Sequence, residues 1–503
     1  MNIPGWMLVT LEILTGLFIL VIGIGFLVVI GLYLIDRFQT ASTVKRNYPV
    51  IGRFRFLFEH LGEFFRQYFF AMDREEMPFN RAQRSWAYRA AKNVNNTAAF
   101  GSTKDLRPEG TVIFANCPFP PLEDEKSEAT PILFGPHCEH PYQTTSFFNI
   151  SGMSYGALSR PAVRALSRGA GEAGIWLNTG EGGLAPAHLE GNCDVVFQIG
   201  TAKYGVRNEA GGLSDDKLRA AAANEQVKMF ELKLAQGAKP GKGGILPAAK
   251  VNEEIAAIRG IKVGEASVSP NRHPEINSGN ELLDMVGHIR RVTGKPTGIK
   301  IVLSSPGWLD DLFAEVHRRG IESAPDFITI DGGDGGTGAA PQPLMDEMGL
   351  PLKESLPMLV DKVNEYGLSR RIRVVASGKR ITPAEVGWAL CAGADAITAA
   401  RGFMFALGCI QALQCNKNTC PTGITTHDKS LQRGLVPSDK ARRVANYAKN
   451  MVKEVTIIAH SCGVTEPRRL ARKHARVVSN NGLSVSLNEL HPDVEPKMAF
   501  ETS

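Results

Sequence analysis

Three cysteines within twelve residues, Cys409-x5-Cys415-x4-Cys420, followed at once by Pro421, form the densest cluster of metal-ligand chemistry in the chain. Thiolates this close, on an irregular segment, suit an iron–sulfur cluster, which needs soft anionic ligands converging on several irons. A structural zinc is the rival, because His427 lies near enough in sequence to supply a fourth ligand. Three cysteines with no evident fourth make a three-iron cluster the more economical of the two. The other five cysteines are scattered, which is not the spacing of a disulfide framework.

A second concentration of chemistry is the segment DGGDGGTGAAP, Asp331 to Pro341, with glycines at 332, 333, 335, 336 and 338. Such a backbone is free to curl against a flat or phosphorylated ligand with its N–H groups inward, although a flexible surface loop has the same composition. Two further short polar endings follow apolar runs, Ser377-Gly378-Lys379 and Ala400-Arg401-Gly402. Lys379 and Arg401 would add charge to backbone donors around a phosphate, or else be exposed loop cations.

These residues need a frame that brings loop ends together, and the spacing of apolar runs supplies one. FNISGMS at 148, GIWLNTG at 174, DVVFQIG at 194, FELKLAQG at 230, GIKIVL at 298, FITIDGG at 327, RIRVVASG at 371 and DAITAARG at 395 each end in, or are followed at once by, Gly or a small polar residue. Helical patterns lie between them, such as PAVRALSRGAGEA after the first and ITPAEVGWALCAGA after the seventh, the latter opened by a Thr-Pro pair suited to an N-cap and first helical position. Eight alternating units predict an α/β chain folded as a closed (β/α)8 TIM barrel, with an open doubly wound sheet as the alternative. In such a barrel the ligand site lies at the C-terminal ends of the strands, and phosphate groups commonly sit after the seventh and eighth.

The first 36 residues differ from the rest. Ile13 to Ile35 carry no charge, and that length as a helix is about 35 Å, enough to cross a hydrocarbon core of about 30 Å. A transmembrane anchor is expected over 1–36, in preference to a cleaved signal peptide, since no Lys or Arg precedes the run and no small-x-small site follows it. Arg37, Lys45, Arg46, Arg53 and Arg55 on the C-terminal flank predict a single-pass membrane protein with its body in the cytoplasm. Residues 37–94 read as a helical linker region, in which Phe54, Leu57, Phe58, Leu61, Phe64, Phe65 and Tyr68 mark one helical face. That face suits either the membrane interface or packing on the barrel. The barrel domain is expected over 95–475, with terminal helices between 425 and 480, and a C-terminal tail over 476–503 that is loose after about 484. A formal net charge of +6, spread along the chain, gives no support to nucleic-acid binding.

GMSYGALS (152–159), NTGEGG (178–183), ELKLAQGAKPGKGGILPAAKV (231–251), DGGDGGTGAAP and CNKNTCPTGI (415–424) resemble, in this order, the signatures of the FMN domain of glutamate synthases. The resemblance covers roughly residues 95 to 475. It implies FMN, a 3Fe-4S cluster held by Cys409, Cys415 and Cys420, and reductive amination of 2-oxoglutarate by ammonia to L-glutamate, with electrons relayed through the cluster. It also implies that Met153, Ser154 and Tyr155 lie beside the flavin ring, that Gln236 and Lys239 lie near flavin and substrate, and that Lys300 lies against the flavin or the substrate carboxylates. Asp331, Gly332, Gly333, Gly335, Gly336, Ser377, Gly378, Lys379, Arg401 and Gly402 complete the expected cofactor site. A lysine at the flavin N1–O2 edge would stabilise the anionic reduced ring, and Glu181 would serve in proton transfer if burial raised its pKa.

The departures from the family pattern carry expectations of their own. The chain has neither the glutaminase domain nor the glycine-repeat β-helix, so ammonia or another amine is expected to arrive free or from a partner. No GxGxxG stands between a strand and a helix, so electrons are expected from a separate reductase, ferredoxin or membrane donor. Where the family has an acidic DGG at the seventh strand end this chain has Ala376-Ser377-Gly378-Lys379, and it reads SPNRHPE over 269–275. Those changes leave open another amine or 2-oxo acid, as in N-methylglutamate formation, or an electron-transfer subunit that makes no amino acid. The sequence leaves the oligomeric state open.

Overall fold

A computed structural model describes residues 4–125, 127 and 129–497. The chain divides into two compact units, one up to Ala82 and one from Gln83 onward.

The first unit opens with a single helix, Gly5–Phe38, long and apolar enough to cross a membrane. Its end is tied to the next segment by Asp36, which accepts from Arg53 Nε at 2.8 Å and from the backbone N–H of Val50 at 3.0 Å. A short helix, Thr43–Asn47, is capped by the Ser42 hydroxyl, and the helix Ile51–Phe65 runs on as a wider turn over Arg66–Phe70. The predicted helix over 54–70 is therefore present, and it starts three residues earlier.

In the second unit eight parallel strands close into a barrel. They are β1 (Phe148–Ile150), β2 (Leu177–Asn178), β3 (Val195–Ile199), β4 (Val227–Lys233), β5 (Thr297–Ile301), β6 (Phe327–Asp331), β7 (Arg373–Ser377) and β8 (Ala396–Ala399). Each lies within or overlaps one of the eight predicted runs, in the same order, and β8 pairs with β1 to complete the circle. The expected helices follow: Arg160–Ala173 after β1, and Pro383–Cys391 after β7, where Thr382 and Glu385 make a reciprocal cap. The first of these packs on Pro437–Ser461 so closely that a Cβ on Gly169 would come within 2.5 Å of Val444.

The two mouths of the barrel are built differently. At the N-terminal mouth a hairpin, Ile132–Phe134 with Tyr142–Thr144, inserts Phe134 edge-on against Trp176 (5.8 Å between ring centroids) and Phe327 (5.7 Å). Full burial of each large side chain in this plug contributes roughly 1.5–3 kcal/mol. Asp326, just before β6, lies beneath it with no exposed surface, pairing with Arg290 at 2.9 Å and Arg371 at 2.8 Å and accepting from the Thr297 N–H at 2.7 Å. At the C-terminal mouth the register aligns Lys233 with Lys300 and Asp331 with Ser377.

Residues up to 480 were expected as helix and those after about 484 as a loose tail, and the structure differs at both. Ala475–Val478 pairs with both Val112–Phe114 and Ser484–Ser486 in an antiparallel sheet, and the short helix Leu487–Leu490 follows. The apolar side chains of this segment are few, so its order comes from strand pairing across more than three hundred residues of sequence, which periodicity does not reveal.

Candidate functional site

The inside of the barrel is polar just below its C-terminal mouth. Glu231 on β4 accepts from Asn178 Nδ2 at 2.9 Å, Gln198 Nε2 at 2.6 Å and the Thr329 hydroxyl at 2.6 Å. These bonds from three other strands satisfy the buried carboxylate and make a rigid floor. Above it lie two adjoining cavities of about 150 and 60 Å³. Gly152, Gln198, Lys233, Gln236, Gly336, Ala400 and Arg401 line both, so they are two parts of one cleft.

In the larger part Met153, Ser154, Glu181 and Lys239 line the wall. Glu181 is paired with Lys233 at 3.0 Å, and the Lys233 ammonium also donates to the Gln236 side-chain oxygen. Gln236 Nε2 in turn donates to the Thr337 hydroxyl at 3.1 Å, which fixes the amide. Burial alone would raise the Glu181 pKa, but the charges of Lys233 and Lys239 outweigh it, and the carboxyl titrates below its ordinary range. The condition set for Glu181 as a proton-transfer group, a pKa raised by burial, is thus not met. Glu181 is an ionised acceptor, and the strand-end cation Lys233 that makes it so carried no signal of its own in the sequence.

Lys239 is 5% exposed, and among the described residues its ammonium makes no hydrogen bond or ion pair. Desolvation pulls its pKa down to about 8, against the attraction of Glu181. A buried cation open to a cavity and lacking a protein partner is a site for an anion.

The smaller part holds Lys300 and Asp331, paired at 3.2 Å, with Ser377, Gly378 and Lys379. Asp331 also accepts from the Gly237 N–H at 2.9 Å. Burial disfavours the Lys300 charge, but Asp331 and Glu231 more than restore it, so its pKa stands above the ordinary value. The backbone N–H groups of Gly378 and Lys379 bond to no other backbone group among the described residues. Both have left-handed backbone, with φ of 110° and 46°, which turns this strand end sharply beneath the cleft. Ser151 Oγ lies 3.4 Å from Ser377 Oγ, and the Thr398 hydroxyl at the end of β8 is buried without a partner.

Other expected cofactor residues lie elsewhere. Gly332, Gly333 and Gly335 do not line the cleft; their N–H groups donate to Ser377, Leu350 and Gly332 carbonyls at 3.1, 2.8 and 2.8 Å. Their lack of a side chain serves close packing: a Cβ on Gly333 would come within 2.4 Å of the Gly349 oxygen. Of the six expected glycines, Gly336 and Gly378 line the cleft. Gly402 is pressed against the Tyr447 hydroxyl, which a Cβ would meet at 2.0 Å. Tyr155 is turned into the protein, its ring 6.2 Å from that of His188 and its carbonyl held by Arg259 at 3.0 Å. Tyr155 was expected beside the flavin from the resemblance carried by GMSYGALS, and a motif match does not say which way a side chain turns.

Arg401 spans the cleft and the cysteine segment. Its guanidinium donates to the Thr337 carbonyl and approaches Cys415 Sγ at 3.9 Å. Lys250, 2% exposed, donates to the Cys415 carbonyl at 2.8 Å and to the Thr425 carbonyl, tying the same segment to the cleft wall. Burial works against the Cys420 thiolate, yet the Thr422 hydroxyl at 3.3 Å and neighbouring N–H groups bring its pKa down to about 7. Burial raises that of Cys409. Cys415 alone of the three lines the cleft. His427, the possible fourth zinc ligand, is occupied with the Gly156 carbonyl at 2.7 Å. The donor set is right in kind for iron, but among the described residues no three His, Cys, Asp or Glu side chains converge as metal ligands.

A family model described as a conserved region in glutamate synthase matches residues 114–465. The chain belongs to the glutamate synthase family. The glutamate synthase large subunit-like protein YerD of Bacillus subtilis is 37% identical to it, over 93% of this chain and 96% of that protein. Two glutamate synthases named with NADPH, the archaeal-type enzyme of Thermotoga maritima and the archaeal enzyme of Methanocaldococcus jannaschii, are each 33% identical over 66% and 69% of this chain. The chain spans 62% and 63% of the length of those two glutamate synthases. Among solved structures, a flavocytochrome b2 mutant with benzoylformate aligns over 81% of this chain and 82% of its own, at 12% identity and a TM-score of 0.46. The matched glutamate synthase region contains the whole barrel, the cleft and the cysteine segment.

His273, Arg259 and Lys250 are further buried polar residues around the cleft that the sequence did not single out. His273 Nε2 lies 2.9 Å from the Lys233 carbonyl, and desolvation lowers its pKa to about 4, so the ring is neutral and holds the β4 end in place. Its place in SPNRHPE, noted as a departure, was the available signal. Lys250 and Arg259 act through backbone carbonyls far away in sequence, which a single sequence does not display.

Proposed function

We propose that this member of the glutamate synthase family is an FMN-dependent oxidoreductase that reductively aminates 2-oxoglutarate, or a close 2-oxo acid, to the amino acid. The observation that carries the proposal is Lys239, a buried ammonium facing the cleft without a protein partner, next to the ion pair of Lys233 and Glu181. A carboxylate of the oxo acid would satisfy it. FMN would be held with its ring between Gly152–Ser154 and Lys300 and its phosphate near Gly378 and Lys379; the unengaged N–H groups and the orphaned Thr398 hydroxyl support that fit. Bound there, FMN would supply a two-electron, hydride-donating centre.

The chain's own residues would do the rest. Lys300, kept charged by Asp331, would counter negative charge on the cofactor ring, and Gln236, fixed by Lys233 and Thr337, would orient the substrate. Glu181, held ionised, would accept a hydrogen bond from the ammonium or imine nitrogen, and Lys239 would donate the proton the product needs. The reading includes a 3Fe-4S cluster on Cys409, Cys415 and Cys420, an electron donor carried by another protein, and a single-pass membrane location through Gly5–Phe38; the soft donor set and the apolar helix support these parts.

Purified protein reduced with dithionite and given 2-oxoglutarate and ammonia is expected to show flavin reoxidation and stoichiometric glutamate. Reoxidation with methylamine alone would move the assignment to N-alkyl amino acids, and no product with either amine would leave an electron-transfer subunit. Cys415→Ala is expected to lose bound iron and the visible cluster absorbance; an unchanged spectrum would refute the cluster.

A further inference from the structure

We infer that the helix and turn from Ile51 to Phe70 form a second lipid-binding element, lying in the headgroup–acyl boundary of an anionic bilayer. This rests on reading Gly5–Phe38 as a membrane span. Phe54, Leu57, Phe58, Phe64, Phe65 and Phe69 recur at helical spacing, and Phe58 and Phe69 are 65% and 67% exposed. Soluble surfaces rarely leave so many large apolar side chains together in water. The rings form a ribbon: Phe64 lies 4.8 Å from Tyr68 and Phe65 lies 5.5 Å from Phe69.

Two further observations identify the occupant as lipid. The Asp36–Arg53 pair, 2.7 Å at its shorter contact, joins the end of the span to the first turn of this helix, so the helix begins at the depth where the span leaves the hydrocarbon. From residue 37 to 66 there are six cations (Arg37, Lys45, Arg46, Arg53, Arg55 and Arg66) against the carboxylates of Glu59 and Glu63. An aromatic face flanked by cations suits the interface of an anionic leaflet. The same surplus of positive charge disfavours the meeting of two such faces from two copies of the chain.

The full-length protein, reconstituted in phosphatidylcholine–phosphatidylglycerol vesicles, tests this through Phe58→Trp and Phe69→Trp, each adding one tryptophan. Lipids brominated near the glycerol are expected to quench the added emission about twofold, and lipids brominated at the chain ends to quench it less. If the added emission is unquenched while the protein resists alkaline carbonate extraction, the inference falls and the span stands, and cross-linking between copies at these positions would show a protein interface instead. If carbonate strips the protein from the vesicles, the span and the inference fall together.

Discussion

Asp326 and Asp331 flank a single strand, and the contrast between them separates what holds this barrel together from what it works with. Asp326 is enclosed, with two guanidinium groups in ion-pair contact and a backbone N–H around a carboxylate that has no exposed surface. Asp331 has one ammonium and one N–H, and it borders a cleft. At the plugged mouth the charges are matched by the protein itself. At the open mouth Lys239 is left without an ion-pair partner among the described residues, and under the proposed function an anionic ligand would complete the balance.

The largest effect that would sharpen this contrast is on stability. Asp326→Asn is expected to cost about 3–5 kcal/mol in denaturant unfolding, because it strands two buried cations, whereas Asp331→Asn is expected to cost about 1–2 kcal/mol. Equal losses would erase the distinction. Next, Lys300→Met is expected to lower turnover by about 100-fold through loss of a preorganised charge, with an unfolding midpoint near that of the parent; a stable, fully active variant would remove Lys300 from the site. Third, apparent affinity for the oxo acid is expected to weaken as pH rises through about 8, where Lys239 loses its proton. Lys239→Ala should flatten that limb of the kcat/KM profile. The sign for stability is opposite: the Lys239 pKa lies below its unfolded value of 10.5, so the ligand-free protein carries the penalty of the buried charge below about 8 and is relieved of it as pH rises through that point. The smallest effect is at Lys379→Ala, where flavin affinity is expected to fall about 3- to 10-fold by equilibrium dialysis; tighter binding would place the phosphate elsewhere.

The barrel was legible because each strand is a short apolar run ended by Gly or a small polar residue, a pattern set locally. The helix after β7 was legible for the same reason, since Thr382, Pro383 and Glu385 carry their cap within four residues. Met153, Ser154, Glu181, Gln236, Lys239 and Lys300 follow from motif resemblance and strand-end position, and the structure gathers them around one cleft. Depth and pairing were not legible. The environment of Glu181 depends on Lys233, more than fifty residues away, and the hairpin that plugs the barrel is recognisable only once Trp176 and Phe327 are beside it. The glycines of DGGDGGTGAAP show how composition misleads: the same residue permits a ligand or another backbone to approach, and here the neighbour of Gly333 is Gly349.

The antiparallel pairing of Val112 with Val477 sets an order of events during synthesis. Val112–Phe114 emerges from the ribosome before any barrel strand and waits for a partner that follows the last of them in sequence. The small sheet outside the barrel therefore forms only once synthesis has passed residue 478 and that strand has cleared the exit tunnel, after all eight barrel strands have been made.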